Sequence, residues 1–437
     1  MFVAILRIER SLLKAIINCF SFLAVRALKD KSLSTVLVLD ANQRSALSVT
    51  RSLGRAGVQV VCADVDSESL AGASKFCAYS DSYPDPANVQ AFIDRINELI
   101  ERYNVEVLYP VAEITVYTLL EHVDKLKPVT LPFPTLDTVK SLSDKGALVK
   151  LCQQLGLNVP ASDYFSGLQD FEQSQKEYSF PVVLKPTLSR IKPDGDSSHG
   201  SDDFNGLGSD GWINTSVTYA HSREELVSLV SSTLYFRDYP FMIQEYIEGY
   251  GSGVFLLYNK GDYVAHFAHK RLREKPPSGG VSVLSQSVEA DPEQLSIAKQ
   301  LLDAANWHGV AMVEFKVDQQ GKPYVIEVNP RFWGSLQLAV DSGVDFPALL
   351  HKVSLGQTVG SIAPYQKGVQ LRWLLGDLDR LYLVLKSREY SIGEFLIGLL
   401  KFLLPWKPRR RFEVNRLGDL KPFWCEFKAY FKSLRAD

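Results

Sequence analysis

The chain has 437 residues, 46% hydrophobic and 22% charged, with 48 basic against 50 acidic side chains. A net charge of −2 leaves no nucleic-acid footprint on the whole chain, and the length suggests roughly two to four units of about 100–200 residues. The five cysteines (Cys19, Cys62, Cys77, Cys152, Cys425) include no CxxC pair, which argues against a zinc site or disulfide framework and for a reducing, cytoplasmic setting.

Residues 1–32 read as an amphipathic extension. Arg7, Arg10, Lys14, Arg26, Lys29 and Lys31 surround an apolar run from Ala15 to Val25 that is too short to span a bilayer. It lacks a clear small-residue cleavage site, which disfavours a signal peptide. From Ser34 the order is strand, loop, helix, strand. Val36 to Asp40 is a continuous apolar run suited to a buried parallel strand, and Gly54 and Gly57 are expected to close the helix. The loop DANQRSA has no GxGxxG, so the close backbone approach that a dinucleotide pyrophosphate needs is missing, which weakens a dehydrogenase reading. VEVLYPVAEITVYTLLEH adds another strand and a helix opening near Glu113, giving a small α/β domain over residues 33–133. Ligands of such sheets bind at strand carboxyl ends, so Asp40, Asn42 and Glu113 are rim candidates, each alternatively a helix cap or turn residue.

A second architecture follows LPFPT. LSDKGALVKLCQQLGLNVP reads as an amphipathic helix started by Asp144 and stopped by Gly156 and Pro160. FPVVLKP is a short apolar strand carrying Lys185. Residues 187–215, rich in Ser, Gly and Asp, are long enough for a mobile flap. HSREELVSLVSSTLYF opens with Ser222 and, three residues on, Glu225, a capping box. YPFMIQEYIEGYGSGVFLLYN gives a strand, a polar break and a further strand. Then come strand YVAHFAHKRL, loop REKPPSGGVS and helix PEQLSIAKQLLDAA. Arg271 and Arg273 are expected on one strand face, where guanidinium forks suit a carboxylate or phosphate. Their alternative is a surface pair bridged to Glu274. Gly279 and Gly280 allow close backbone approach.

VAMVEFKVDQQGKPYVIEVNP reads as a hairpin turning at Gln320-Gly321. With Gln319 facing Lys322, Glu314 falls opposite Glu327 and Met312 opposite Asn329, while Val325, Glu327 and Asn329 share a face. Carboxylates with Cβ atoms roughly 5 Å apart repel by about 3 kcal/mol at an effective dielectric of ~20. A divalent cation with hard oxygen ligands would neutralise them, and Mg²⁺ is usually held by one or two carboxylates plus substrate phosphates. A one-residue slip would instead put Glu314 on the opposite face as a solvated acid.

The ordered set of a DK helix (Lys145), a lysine on a short strand (VVLKP, Lys185), QEYIEG, and a paired Glu followed by ExNPR resembles the ATP-grasp superfamily over residues 34–355. That fold is shared by biotin carboxylase, carbamoyl phosphate synthetase and D-alanine:D-alanine ligase. Carboxylate-amine ligase-like members related to the carbamoyl phosphate synthetase large chain are nearest in flavour. The resemblance implies a Rossmann-like pre-ATP-grasp α/β domain, then a two-lobed α+β ATP-grasp domain over residues 134–355. It implies ATP and Mg²⁺ (or Mn²⁺) as cofactors. Lys145 and Lys185 would contact phosphates, and the hinge Gln244, Glu245, Tyr246, Ile247 and Glu248 would meet adenine and ribose. Glu314, Glu327 and Asn329 would hold metal, and Arg331, with Arg271 and Arg273, would steady the transferred phosphoryl. Glu113, Gly279, Gly280 and Ser282 would border substrate.

The implied reaction activates a substrate carboxylate as an acyl phosphate for attack by an amine. Bicarbonate activation and a non-catalytic nucleotide-binding protein remain alternatives. Residues 356–437 read as a helical, basic extension in which FLIGLLKFLLPWKPRRRF can lie on an anionic membrane surface or pack on the protein's own core.

Overall fold

The structure, a computed structural model, describes residues 34–187, 190–191, 213–277, 280–360, 362–387, 390–404 and 408–433. Four short strands, β1 (Thr35–Val38), β2 (Gln59–Asp64), β3 (Tyr79–Ser82) and β4 (Val107–Tyr109), form an all-parallel sheet in the order β3-β2-β1-β4. Strand alternation explains why its apolar runs must be buried on both sides. Val36, Val38, Val60 and Cys62 pack with Leu47 and Leu53 from the helix Arg44–Arg55. Leu37, Leu39, Val61 and Ala63 pack with Phe92, Ile93 and Ile96 from the helix Val89–Tyr103 on the other side. Gly57 stops the first helix at φ +83°. Gly54 lies inside that helix instead of closing it, and a Cβ there would come 2.7 Å from Phe76.

A small antiparallel sheet follows. Its strands are β5 (Ser162–Phe165), β6 (Val182–Pro186), β9 (Thr218–Ala220) and β10 (Phe241–Glu245), ordered β5-β10-β6-β9, with β7 (Arg190–Ile191) and β8 (Ile213–Asn214) forming a separate ribbon. The acidic part of the 187–215 loop and the 1–32 extension lie outside the described residues. The third sheet has seven strands, β11 (Gly249–Asn259), β12 (Asp262–Lys275), β13 (Val281–Ser287), β14 (Gly309–Asp318), β15 (Pro323–Asn329), β16 (Gln370–Arg372) and β17 (Arg410–Phe412). Their order is β15-β14-β11-β12-β13-β16-β17. The segment after residue 356 is therefore not only helical, because two of its strands extend this sheet. One apolar cluster joins Val36 and Leu47 to Phe255, Phe267, Phe332 and Trp333, so the parallel sheet and the large sheet share a core.

The β14–β15 hairpin corrects the expected turn. Asp318, not Gln319, closes it against Lys322, and Gly321 takes φ +87° in a three-residue loop. Phe315 consequently pairs with Val325, but the register shifts between Glu314 and Phe315, leaving Ile326 as the extra residue of a bulge. Two departures cancel, and Glu314 still faces Glu327 and Met312 still faces Asn329. The bulge also turns Val325 onto the apolar side with Val328, away from the expected shared face with Glu327.

Candidate functional site

The two acids at the hairpin end are bridged by neighbours on both sides. Asn329 Nδ2 donates to Glu327 Oε1 at 2.8 Å and to Glu314 Oε1 at 3.3 Å. Arg271 donates to Glu314 Oε2 at 2.6 Å, reaching from β12 across β11. Gly253, paired with Glu314 on that intervening strand, places no side chain in its path. Burial pushes the Glu314 carboxyl up to about 7, with Arg271 opposing the rise and Glu327 adding to it. Burial is the main cause of the rise, and the facing Glu327 adds to it less than Arg271 takes away.

Two lysines converge on the same place. Lys185, on β6, donates to Gln244 Oε1 at 2.6 Å, and Gln244 Nε2 in turn donates to Ser162 Oγ at 2.9 Å. Burial pulls the Lys185 ammonium down to about 8, and Glu327 is the largest influence holding it up. Lys145 is the first residue of the helix Lys145–Gln154, which is capped by Asp144 accepting from the Ala147 amide. Its Nζ donates to the Pro186 carbonyl at 3.0 Å. A cavity of about 150 Å³ has as its polar lining Glu113, Tyr117, Ser143, Lys145, Thr187, Glu327, Asn329 and Arg331, with Val116, Val139, Val328 and Pro330 as the apolar part of its wall. Arg331 enters it past Pro330, braced by the Phe332 carbonyl at 3.0 Å and Asn329 Oδ1 at 3.4 Å.

Between Glu245, which ends β10, and Gly249, which starts β11, Tyr246 to Glu248 cross from the small antiparallel sheet to the large one. Gln244 and Ile247 are buried, while Glu245, Tyr246 and Glu248 are exposed. A Cβ at Gly249 would lie 1.8 Å from the Val317 carbonyl, so the crossing requires glycine there.

Other expected residues go elsewhere. Arg273 does not share Arg271's surroundings, because register shifts on either side of it turn the guanidinium to Asp377 at 2.6 Å. That acid also pairs with buried Arg372. Gly280 meets the site only through its carbonyl, 3.4 Å from Arg271. Ser282 Oγ is buried with no hydrogen-bond partner among the described residues, and Gly279 lies outside them. Asp40 is a buried cap: its carboxylate accepts from the Val111 and Ala112 amides and Thr115 Oγ1, fixing the start of the helix that presents Glu113. Asn42 Oδ1 likewise accepts from the Leu70 amide. Sequence reasoning missed Tyr117, Ser143 and Thr187. Tyr117 is one helical turn beyond Glu113, a spacing that could have revealed it.

No group of three or more His, Cys, Asp or Glu side chains suited to a metal occurs among the described residues. The donor set at Glu314, Glu327 and Asn329 still fits Mg²⁺ or Mn²⁺. Two carboxylates facing each other across the hairpin, both within reach of the Asn329 side chain, offer hard oxygens, and the remaining ligands of such ions usually come from water and phosphates.

Residues 237–376 match a family model described as ATP-grasp in the biosynthetic pathway with Ter operon. The structure of an L-amino acid ligase from Bacillus licheniformis superposes with a TM-score of 0.57 at 18% identity, covering 76% of this chain and 77% of that one. The ADP complex of N5-carboxyaminoimidazole ribonucleotide synthetase superposes with a TM-score of 0.61 at 13% identity, covering 85% and 97%. The chain carries the ATP-grasp fold. In sequence, this ATP-grasp chain is 22% identical to the carbamoyl phosphate synthase large chain of Thermotoga sp. (strain RQ2) over 90% of its own length and 34% of the relative's. It thus spans about a third of the length of that curated relative.

Proposed function

We propose that the protein is an ATP-dependent, ADP-forming ligase that activates a small-molecule carboxylate as an acyl phosphate for attack by an amine. The observation that carries this reading is that Lys145, Arg331, Glu327 and Asn329 line one cavity, with Glu314 held by Asn329 and Lys185 close enough to feel the charges of Glu327, Lys145 and Glu314. Phosphoryl transfer asks for positioned positive charge rather than a protein nucleophile. Here Lys185, fixed by Gln244, and Lys145, fixed by a strand-end carbonyl, are aimed at where phosphates would lie. Glu314, Glu327 and Asn329 would hold the metal, which when bound neutralises phosphate charge. Arg331 and Arg271 would steady the transferred group, and Glu113 would border the acceptor. The hinge Gln244–Glu248 would take adenine through backbone groups, with Glu248 serving the ribose. The names of the ligase and synthetase above support the reaction class.

The test is an ADP-release screen of carboxylic acids and amines with MgATP, run beside Glu327→Gln. Amine- and carboxylate-dependent ADP release, at least about 100-fold lower in the variant, is the expected result. Equal activity in both proteins overturns the metal assignment. Release that needs bicarbonate and no amine moves the protein to bicarbonate activation, and none across the panel favours a non-catalytic nucleotide-binding protein.

A further inference from the structure

The helix Ile392–Leu403 (IGEFLIGLLKFL) has no buried residue although ten of its twelve positions are apolar or glycine. Phe395, Leu399 and Phe402 are half-buried toward the protein, with Phe402 under the Arg372 guanidinium at 4.4 Å. Ile392, Leu396, Ile397, Leu400 and Leu403 are 50–79% exposed. The neighbouring helix Leu374–Lys386 adds exposed Leu378, Tyr382 and Leu385. A helix apolar on all sides needs a second cover besides its own fold.

The charges around it say which. Over residues 390–404 and 408–412, Lys401, Arg409, Arg410 and Arg411 stand against Glu394 alone, four basic less one acidic. Glu394 is tied to the helix start by a capping box with Ser391. The far end is pinned to the sheet edge, where Arg372 donates to the Phe402 carbonyl at 3.0 Å and Arg410 to the Leu404 carbonyl at 3.2 Å. Beneath it, Arg273 and Arg372 share the single buried acid Asp377. A symmetric contact between two copies would bring these like charges together. An anionic bilayer surface satisfies both features, taking the apolar side chains at the acyl boundary and the arginines at the headgroups. With twelve residues this helix is too short to cross a bilayer, so it would lie along the surface.

We propose that the helix Ile392–Leu403, with Arg409 and Arg411 beside it, docks this protein on an anionic phospholipid surface. The test is flotation of the full chain with vesicles of phosphatidylglycerol in phosphatidylcholine and with phosphatidylcholine alone, at low and high salt. Expected are at least tenfold stronger partitioning to the anionic vesicles, weakening with salt, and at least a tenfold loss in Leu396→Asp with Leu400→Asp and in Arg409→Glu with Arg411→Glu. The milder Leu396→Gln with Leu400→Gln, which exposed positions should accept without a change in thermal midpoint, must show the same direction of loss. Failure to bind anionic vesicles overturns the proposal, as does binding unchanged in the leucine variants. Self-association that the leucine variants abolish without any vesicle binding assigns the face to a second copy instead.

Discussion

Lys185 shows how the site trades stability for charge. Its ammonium ionises near 8 in the folded chain against 10.5 in an ordinary lysine. Because the folded state holds its proton less tightly, the unfolded state gains as pH falls from about 10.5 to 8, and below that window the cost is constant. The Lys185→Met variant should therefore be more stable than the parent at pH 7, by an order of 1–3 kcal/mol. That advantage should vanish as pH rises through the same window in urea melts of the nucleotide-free protein. The same variant should bind ADP at least tenfold more weakly at pH 7. The parent should lose ADP affinity as pH rises past about 8, where the lysine becomes neutral. A parent affinity flat from pH 7 to 9.5 would remove Lys185 from the phosphate site. The two strand arginines offer a second contrast. Arg271 reaches Glu314 whereas Arg273 reaches Asp377, so Arg271→Met should lower ADP release by about 100-fold and Arg273→Met by less than about threefold. Equal losses in steady-state assays would return Arg273 to the site.

At the scale of elements, the turn into β11 is set by one missing side chain. Since a Cβ at Gly249 would collide with the Val317 carbonyl at 1.8 Å, Gly249→Ala must push β11 from β14 just where the hinge enters the large sheet. A loss of roughly 1–3 kcal/mol together with weaker ADP binding is expected from thermal melts and titration, and a variant with parental ADP affinity would show that the hinge geometry is not fixed there. Much of this element was readable in advance. The continuous apolar strands and the Asp144-capped helix followed from periodicity and capping chemistry, whereas the Glu314–Glu327 pairing came out as expected by way of two departures that cancel. The turn was not, because Asp318 accepts from the Gln320 and Lys322 amides at 2.9 and 2.8 Å and thereby prefers a three-residue loop. Only the bulge at Ile326 restored the pairing. Periodicity cannot see a bulge, and the same blindness misplaced Arg273, which sits between two register shifts. Strands as short as Gln370–Arg372 and Arg410–Phe412 carry too few alternations to register at all.

At the scale of the molecule, residues 413–419 act as a strap between the strand that closes the large sheet and the first helix of the parallel sheet. Arg51, buried on that helix, donates to Asp419 Oδ2 at 2.8 Å and to the carbonyls of Glu413 at 2.7 Å, Val414 at 2.9 Å and Asp419 at 3.2 Å. Asp419 also accepts from Ser74 Oγ and the Lys75 amide. Arg416 grips Asp341 through both guanidinium ends at 2.9 and 2.6 Å, and Glu413 pairs with Arg44. A planar fork with several fixed donors is what these four acceptors on three residues need, and an ammonium cannot reproduce it. Removing one partner of a buried pair costs roughly 3–5 kcal/mol because the other charge stays buried. Arg51→Met should therefore destabilise the whole chain by about that amount, and Arg51→Lys should recover less than half of it. Both sheets share one apolar cluster, so the loss should appear as a downward shift of one calorimetric transition. A lysine variant as stable as the parent, or loss of only a minor early transition, would mean that the strap does not hold the sheets together.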